Sequence, residues 1–170
     1  METNIQRATR LLLEKKLTIA FAESATAGSL AYEFSRCDDA GEYLKGGIVC
    51  YDACLKEEML GVDKELIRNY TPESMEVTRA ITNGLAVLIR ADIHVGVTGL
   101  PAPGGSETME KPVGTMFICA LLQGREFFSH TQVYAGSAEG IIKHAVDCVG
   151  ELLYENLIGK DLKDSLTIKR

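Results

Sequence analysis

Ser24, Tyr51 and Lys56 are the side chains whose types and settings in this sequence suit a nucleophilic reaction. Ser24 lies in the run Phe21-Ala22-Glu23-Ser24-Ala25-Thr26-Ala27-Gly28, where an apolar stretch stops and a helical pattern begins. A hydroxyl at such a corner has two chemical uses. It can attack a carbonyl from the end of a sheet, once a base removes its proton. It can also help to hold an anion, because the free N–H groups of a helix start face the same space. A serine there is also a common N-cap. The choice depends on a base elsewhere, and the candidates are Tyr51 and Lys56. A lysine serves when burial or neighbouring cations depress its pKa. It would act directly or through the Tyr51 hydroxyl, a variant of triad logic. Backbone N–H groups near Thr26, Ala27 and Gly28 offer an oxyanion hole. One such donor is worth on the order of 3 kcal/mol to a transition state.

These residues need elements to hold them. Apolar positions Ile5, Ala8, Leu11, Leu12 and Leu13 predict a helix over 4–16. Leu17–Ala22 reads as a buried strand and Thr26–Ser35 as a helix. Gly46–Tyr51 reads as a second strand, and Cys54–Leu60 as a short helix ending at Gly61. Asp63 can cap a helix through Tyr70. Thr71, with Pro72 behind it, predicts the start of a long helix to about Arg90. Asp92–Val97 is a third strand, ending in Thr98-Gly99. The turn-rich run 100–106 contains Gly104 and Gly105. Val113–Leu122 and Glu126–Val133 flank Gly124 as a hairpin, and 137–157 is the last helix. Helices alternating with strands, then a hairpin, predict a three-layer α/β/α sandwich around a mostly parallel mixed sheet. In such folds sites lie beyond the C-terminal strand ends. Glu23-Ser24, Tyr51-Asp52 and Thr98-Gly99 therefore converge on one edge. The Thr98-Gly99 and Gly104-Gly105 segments would let backbone approach a ribose or phosphate closely.

The chain has 170 residues, 46% of them hydrophobic, with a formal charge of −6. That length suits one domain, read as 1–160 with a polar tail at 161–170. The negative balance argues against a general nucleic-acid or anionic-membrane surface. No apolar run reaches the roughly 18 residues of a membrane span. Met1–Lys16 is charged and helix-patterned, unlike a secretory leader. Five scattered cysteines and three histidines form no ligand motif, so neither a metal nor a cofactor is expected. Reduced thiols fit a cytoplasmic protein.

The motifs resemble the C-terminal domain of the competence/damage-inducible protein family CinA, which includes nicotinamide-mononucleotide deamidases. The resemblance covers about Ile5–Leu157. It rests on Glu23-Ser24-Ala25-Thr26-Ala27-Gly28, on Gly46 and Gly47 with Tyr51 and Lys56, and on Val97-Thr98-Gly99-Leu100-Pro101-Ala102-Pro103-Gly104-Gly105. Lys111-Pro112-Val113-Gly114-Thr115 completes it. It implies an amidohydrolase that converts the carboxamide of nicotinamide mononucleotide to a carboxylate and releases ammonia. Ser24, Tyr51 and Lys56 match the family's serine, tyrosine and lysine. The resemblance also implies a small-molecule nucleotide as partner and a homodimer or larger assembly.

The sequence departs from the family pattern at four positions. Ala25 replaces Cys, Ala27 replaces Gly, Ala53 replaces Asn, and Ala138 replaces an Arg suited to a phosphate or an oxyanion. Lys111, Lys45, Lys143 and His144 are the alternative sources of positive charge. Three readings stand: an active deamidase, a non-catalytic relative that binds a nucleotide or partner, and an amidohydrolase with a shifted substrate, such as one lacking the phosphate.

Overall fold

The computed structural model describes residues 2–159; the expected polar tail lies outside them. The chain folds as α1 (Asn4–Lys15), β1 (Ile19–Glu23), α2 (Ser29–Ser35), α3 (Ala40–Tyr43) and β2 (Leu44–Val49). Then come α4 (Ala53–Leu60), α5 (Lys64–Tyr70), α6 (Met75–Leu88) and β3 (Ile93–Gly99). The antiparallel pair β4 (Thr115–Leu122) and β5 (Arg125–Val133) leads to α7 (Ala138–Leu157).

The five strands lie in the order β2-β1-β3-β4-β5. β1 pairs in parallel with β2 and β3, whereas β3–β4 and β4–β5 are antiparallel. The sheet is thus mixed, parallel only in the half that carries Ser24. Alternation along the strands divides the core into two layers. Phe21, Val95 and Ile118 face one layer with Leu12, Phe34 and Val149 from the α1, α2 and α7 side. Ala20 and Ala22 face the other with Leu60, Ile67, Ile81 and Leu85 from α4, α5 and α6.

Several boundaries differ from the sequence expectation, each for a local reason. α2 begins at Ser29, not Thr26, because Ala27 (φ 50°) and Gly28 (φ 96°) are left-handed and break the helical path. The long helix is capped by Ser74, whose Oγ accepts from Val77 N–H at 3.2 Å. Thr71 is instead the C-cap of α5, with φ 68°. Its hydroxyl is held by Lys111 and Ser106, so it is not free to cap α6. β3 continues through Thr98 and Gly99, and β4 starts only at Thr115. The short α3 carried no sequence signal; it buries Tyr43, whose hydroxyl donates to Phe34 O at 2.6 Å.

α6 lies very close to the sheet. A Cβ on Gly96 would collide with Thr82 Oγ1 and the Thr78 carbonyl. The Thr78 and Thr98 hydroxyls meet at 2.8 Å. Thr78 Oγ1 donates to Ser74 O, so Thr98 is the donor to Thr78. This packing brings the segment before α6, with Glu73, to the C-terminal edge of β1 and β3.

Candidate functional site

A cavity of about 230 Å³ opens at that edge, between the turn after β1, the end of β2 and the loop after β3. Ser24, Tyr51, Gly99, Gly104 and Gly105 line it, so three distant segments expected to converge do so. Ala25, Glu73 and the run Leu100–Pro103 complete the wall.

Ser24 sits one residue beyond β1. Its N–H donates to Val97 O at 2.9 Å, and Cys50 N–H donates to Glu23 O at 2.8 Å. Both ladders therefore run one step past the regular strands. Ser24 is held between its neighbours on β2 and β3, where strands lie about 5 Å apart. The residue is 6% exposed, and its hydroxyl makes no hydrogen bond among the described residues.

Lys56 lies on α4 and is 1% exposed. Asp52 caps that helix by accepting from Cys54 N–H at 2.8 Å, which fixes where the first turn begins. The Lys56 ammonium donates to Cys50 O at 2.9 Å and to Tyr51 O at 3.5 Å. Lys56 thus lies behind the end of β2, beside the residue that follows the β1–β2 ladder opposite Ser24. It is absent from the cavity wall, and neither of those bonds reaches Ser24. Burial pushes its pKa below the usual lysine value; the thiol of Cys50 and the carboxylates of Glu73 and Asp52 oppose the shift. Tyr51 is two-thirds exposed at the cavity mouth.

The N–H groups expected to form an oxyanion hole are mostly engaged. The Glu23 carboxylate, 1% exposed, accepts from Gly28, Leu30 and Ala31 at 3.0, 2.9 and 2.8 Å. Ala27 N–H donates to Ser24 O at 3.1 Å. A buried acid supplies the N-terminal cap of α2 and neutralises its dipole. The N–H groups of Ala25 and Thr26 remain without a partner among the described residues. Ala25 lines the cavity immediately after Ser24. Its position is that of the donor following the serine in a nucleophile elbow.

Other expected residues lie away from the cavity wall. Thr26, Ala27 and Gly28 form the turn behind Ser24, and Thr26 Oγ1 is buried without a partner among the described residues. Gly46 and Gly47 lie in the body of β2. Gly47 faces the Phe21 backbone, where a Cβ would come within 2.7 Å of its carbonyl oxygen. Thr98 ties β3 to α6. Gly104, by contrast, is on the wall, but its N–H donates to the Glu107 carboxylate at 2.9 Å, closing the loop on itself. Ala138 is exposed and absent from the wall. Lys143 lines a separate groove of about 630 Å³ between α1, α2 and α7, and His144 stacks on Tyr134.

Glu73 was not among the expected residues. Its Oε2 accepts from Ser106 Oγ at 2.5 Å. The neighbouring Lys111 ammonium donates to Thr71 Oγ1, Ser106 Oγ and Glu73 O at 2.6, 2.7 and 2.8 Å. All three of its donors are used. Lys111 therefore fastens the 100–106 loop to the start of α6 and is not a free cation for a phosphate.

Among the described residues no group of histidine, cysteine and carboxylate side chains is placed to hold a metal. Among them, too, no helix is long and apolar enough to cross a membrane.

The sequence pattern of the CinA C-terminal domain matches residues 1–157. A CinA-like protein of Leptospira biflexa is 35% identical over 150 residues, covering 88% of this chain. A putative competence-damage inducible protein of Desulforudis audaxviator is 40% identical over 116 residues, covering 68%. The chain spans only 36% and 28% of those two proteins. The crystal structure of a competence-damaged protein (CinA) superfamily protein from Klebsiella pneumoniae superposes with a TM-score of 0.83. It is 25% identical, with 91% of this chain and 95% of that one covered. The competence/damage inducible protein CihA of Agrobacterium tumefaciens has a TM-score of 0.83 at 26% identity, covering 90% and 95%. The domain match, the relatives and the shared fold agree, and this chain belongs to the CinA C-terminal domain family.

Proposed function

We propose that the Ser24 cavity is the active site of a serine amidohydrolase that acts on the carboxamide of nicotinamide mononucleotide. The observation that carries this reading is the placement of Ser24. Its unbonded hydroxyl lies at a cavity wall, with a buried lysine behind the adjoining strand end.

In this mechanism Ser24 Oγ attacks the carboxamide carbon and passes its proton to a neutral Lys56 amine, directly or through the Tyr51 hydroxyl. Burial disfavours the ammonium and so raises the share of neutral amine. The carbonyl oxygen becomes an oxyanion facing Ala25 N–H. The C–N bond then breaks, and the nitrogen leaves as ammonia with the proton from Lys56. Water attacks the acyl-serine, its proton returns through the same base, and the carboxylate product is released. Lys56 reaches Ser24 only by leaving the Cys50 carbonyl, or through Tyr51. Catalytic hydrogen bonds in ligand-free enzymes often tighten only in the substrate complex.

Purified protein incubated with nicotinamide mononucleotide tests the reading, with ammonia and nicotinate mononucleotide measured beside a Ser24→Ala control. Serine-dependent product supports it. No product from folded protein at high concentration overturns it in favour of a binding relative or an altered substrate.

A further inference from the structure

We infer that Glu73 is the specificity-determining residue of the Ser24 cavity: its carboxylate selects ring amides that carry a fixed positive charge. The inference rests on the amidase reading of that cavity for its place in a reaction, but its binding chemistry stands on geometry alone.

Glu73 is the one carboxylate on the cavity wall, and among the described residues no lysine, arginine or histidine lines it. Lys56 and Lys111 both feel its charge, but neither forms an ion pair with it. Lys111 bonds the Glu73 main-chain oxygen and the hydroxyls of Thr71 and Ser106, and no ion pair to the Glu73 carboxylate forms among the described residues. Ser106 holds one carboxylate oxygen, and Oε1 has no hydrogen-bond partner among the described residues. The carboxylate is therefore oriented at one oxygen and free at the other.

The adjoining wall leaves it open. A Cβ added at Gly105 would stand 2.5 Å from Leu100 Cδ2, 3.7 Å from Glu107 Oε2 and 4.0 Å from the Glu73 carboxyl carbon; Glu107 is committed to Gly104 N–H and does not line the cavity. Any larger residue at 105 would crowd the space beside the acid. At about 230 Å³ the cavity is smaller than the roughly 300–1,000 Å³ of typical ligand pockets, which suits one ring and its amide group.

Moving a cation from water into such a space is costly unless an opposite charge meets it. A pyridinium ring, quaternary at nitrogen, meets that condition, because its charge cannot be lost by deprotonation. A neutral ring of the same shape gains nothing from Glu73. An anionic phosphate finds no side-chain cation on this wall and stays outside the cavity.

Glu73 also faces Lys56, whose ammonium it favours. An effect exerted only through Lys56 would change both kinds of ligand alike and shift the pH profile. The test therefore compares two ligands of one shape: the 1-methylnicotinamide cation and neutral 3-methylbenzamide. Their binding is measured by calorimetry or ligand-observed NMR, using full-chain Ser24→Ala protein so that no turnover intervenes. The expected result is at least roughly tenfold tighter binding of the cation, about 1.4 kcal/mol. The preference should weaken with salt. Adding Glu73→Gln, which keeps an acceptor for Ser106, should remove the preference and leave 3-methylbenzamide binding unchanged.

Equal binding of the two ligands, binding of neither, or a preference that survives Glu73→Gln in protein of unchanged melting temperature would overturn the inference. Turnover is scored separately on the wild type. Cation preference without turnover keeps the site and rejects the amidase; turnover without preference does the reverse.

Discussion

The buried Lys56 ammonium donates to the main-chain oxygen of Cys50 at 2.9 Å. That bond gives Lys56 a structural duty in addition to any catalytic one. The sequence alone suggests a pocket lysine whose loss leaves folding untouched. The structure predicts otherwise, because Lys56→Met strands the Cys50 carbonyl, which belongs to a fully buried residue. Lys56→Met should abolish turnover and also cost about 1–3 kcal/mol, the usual penalty for an orphaned buried acceptor. Urea unfolding of the variant checks the second effect, and unchanged stability would disprove it.

Lys56 also predicts a pH dependence. Its pKa in the folded chain is lowered, chiefly by burial, from the ordinary 10.5. Between those two values the unfolded chain holds the proton and the folded chain does not. Stability therefore rises with pH through that window. Below it, both states are protonated and the desolvation penalty is fully felt. Relative to Lys56→Met, the wild type should gain stability as pH climbs toward 10.5. The same titration should give turnover an acid limb below the ordinary lysine range. A Lys56-independent pH–rate profile would remove Lys56 as the base.

Glu23 is a second buried charge with a structural task. Its two oxygens take three N–H groups from the α2 start. Glu23→Gln keeps the shape but turns an NH₂ toward one of those donors. Hydrogen bonds to charged groups contribute about 1.5–3 kcal/mol, and a loss of that order is expected in chemical unfolding. Amide exchange at Leu30 and Ala31 should quicken at the same time. Slow exchange there in the variant would show that α2 does not depend on this cap.

The turn after Ser24 carries backbone strain at a defined place. Ala27 adopts φ 50°, where an alanine costs roughly 1–2 kcal/mol more than in right-handed geometry. Ala27→Gly relieves this but adds freedom to the unfolded chain, worth about 0.4–1 kcal/mol. The expected outcome is a small gain in melting temperature. Gly28→Ala, at φ 96°, should lower it instead. The added methyl meets Val49 Cγ2 at an ordinary 3.6 Å, so the cost is conformational, not steric. Opposite signs at adjacent positions are the result to look for in thermal melts.

Restoring an arginine at position 138 should not raise activity at Ser24. Ala138 is exposed and does not line that cavity. Ala138→Arg is expected to leave kcat/KM for nicotinamide mononucleotide essentially unchanged. A tenfold rise would place the start of α7 in the working site.

The order of elements was readable from the sequence because the signals that set it are local. Asp52, Asp63 and Ser137 cap helices through N–H groups two or three residues away. The strands before Ser24 and Thr98 show as apolar runs. Those features also put Ser24, Tyr51 and the 99–105 loop at one sheet edge, since parallel strands end on the same side. The remainder depended on contacts between distant segments, which residue spacing does not encode. Lys56 is a candidate base in the sequence, but its burial and its bond to Cys50 O follow only from where α4 packs. Glu23 reads as part of a motif until the turn folds α2 back onto its carboxylate. Ser106 and Lys111 meet Thr71 and Glu73 across separations of 33 to 40 residues, and that junction helps to hold an acid at the cavity. Short-range hydrogen bonding and hydrophobic periodicity therefore determined where elements begin and which face they bury. Only the packed fold decided which charges are buried, paired or left open to a ligand, because desolvation and long-range pairing exist only once the layers close.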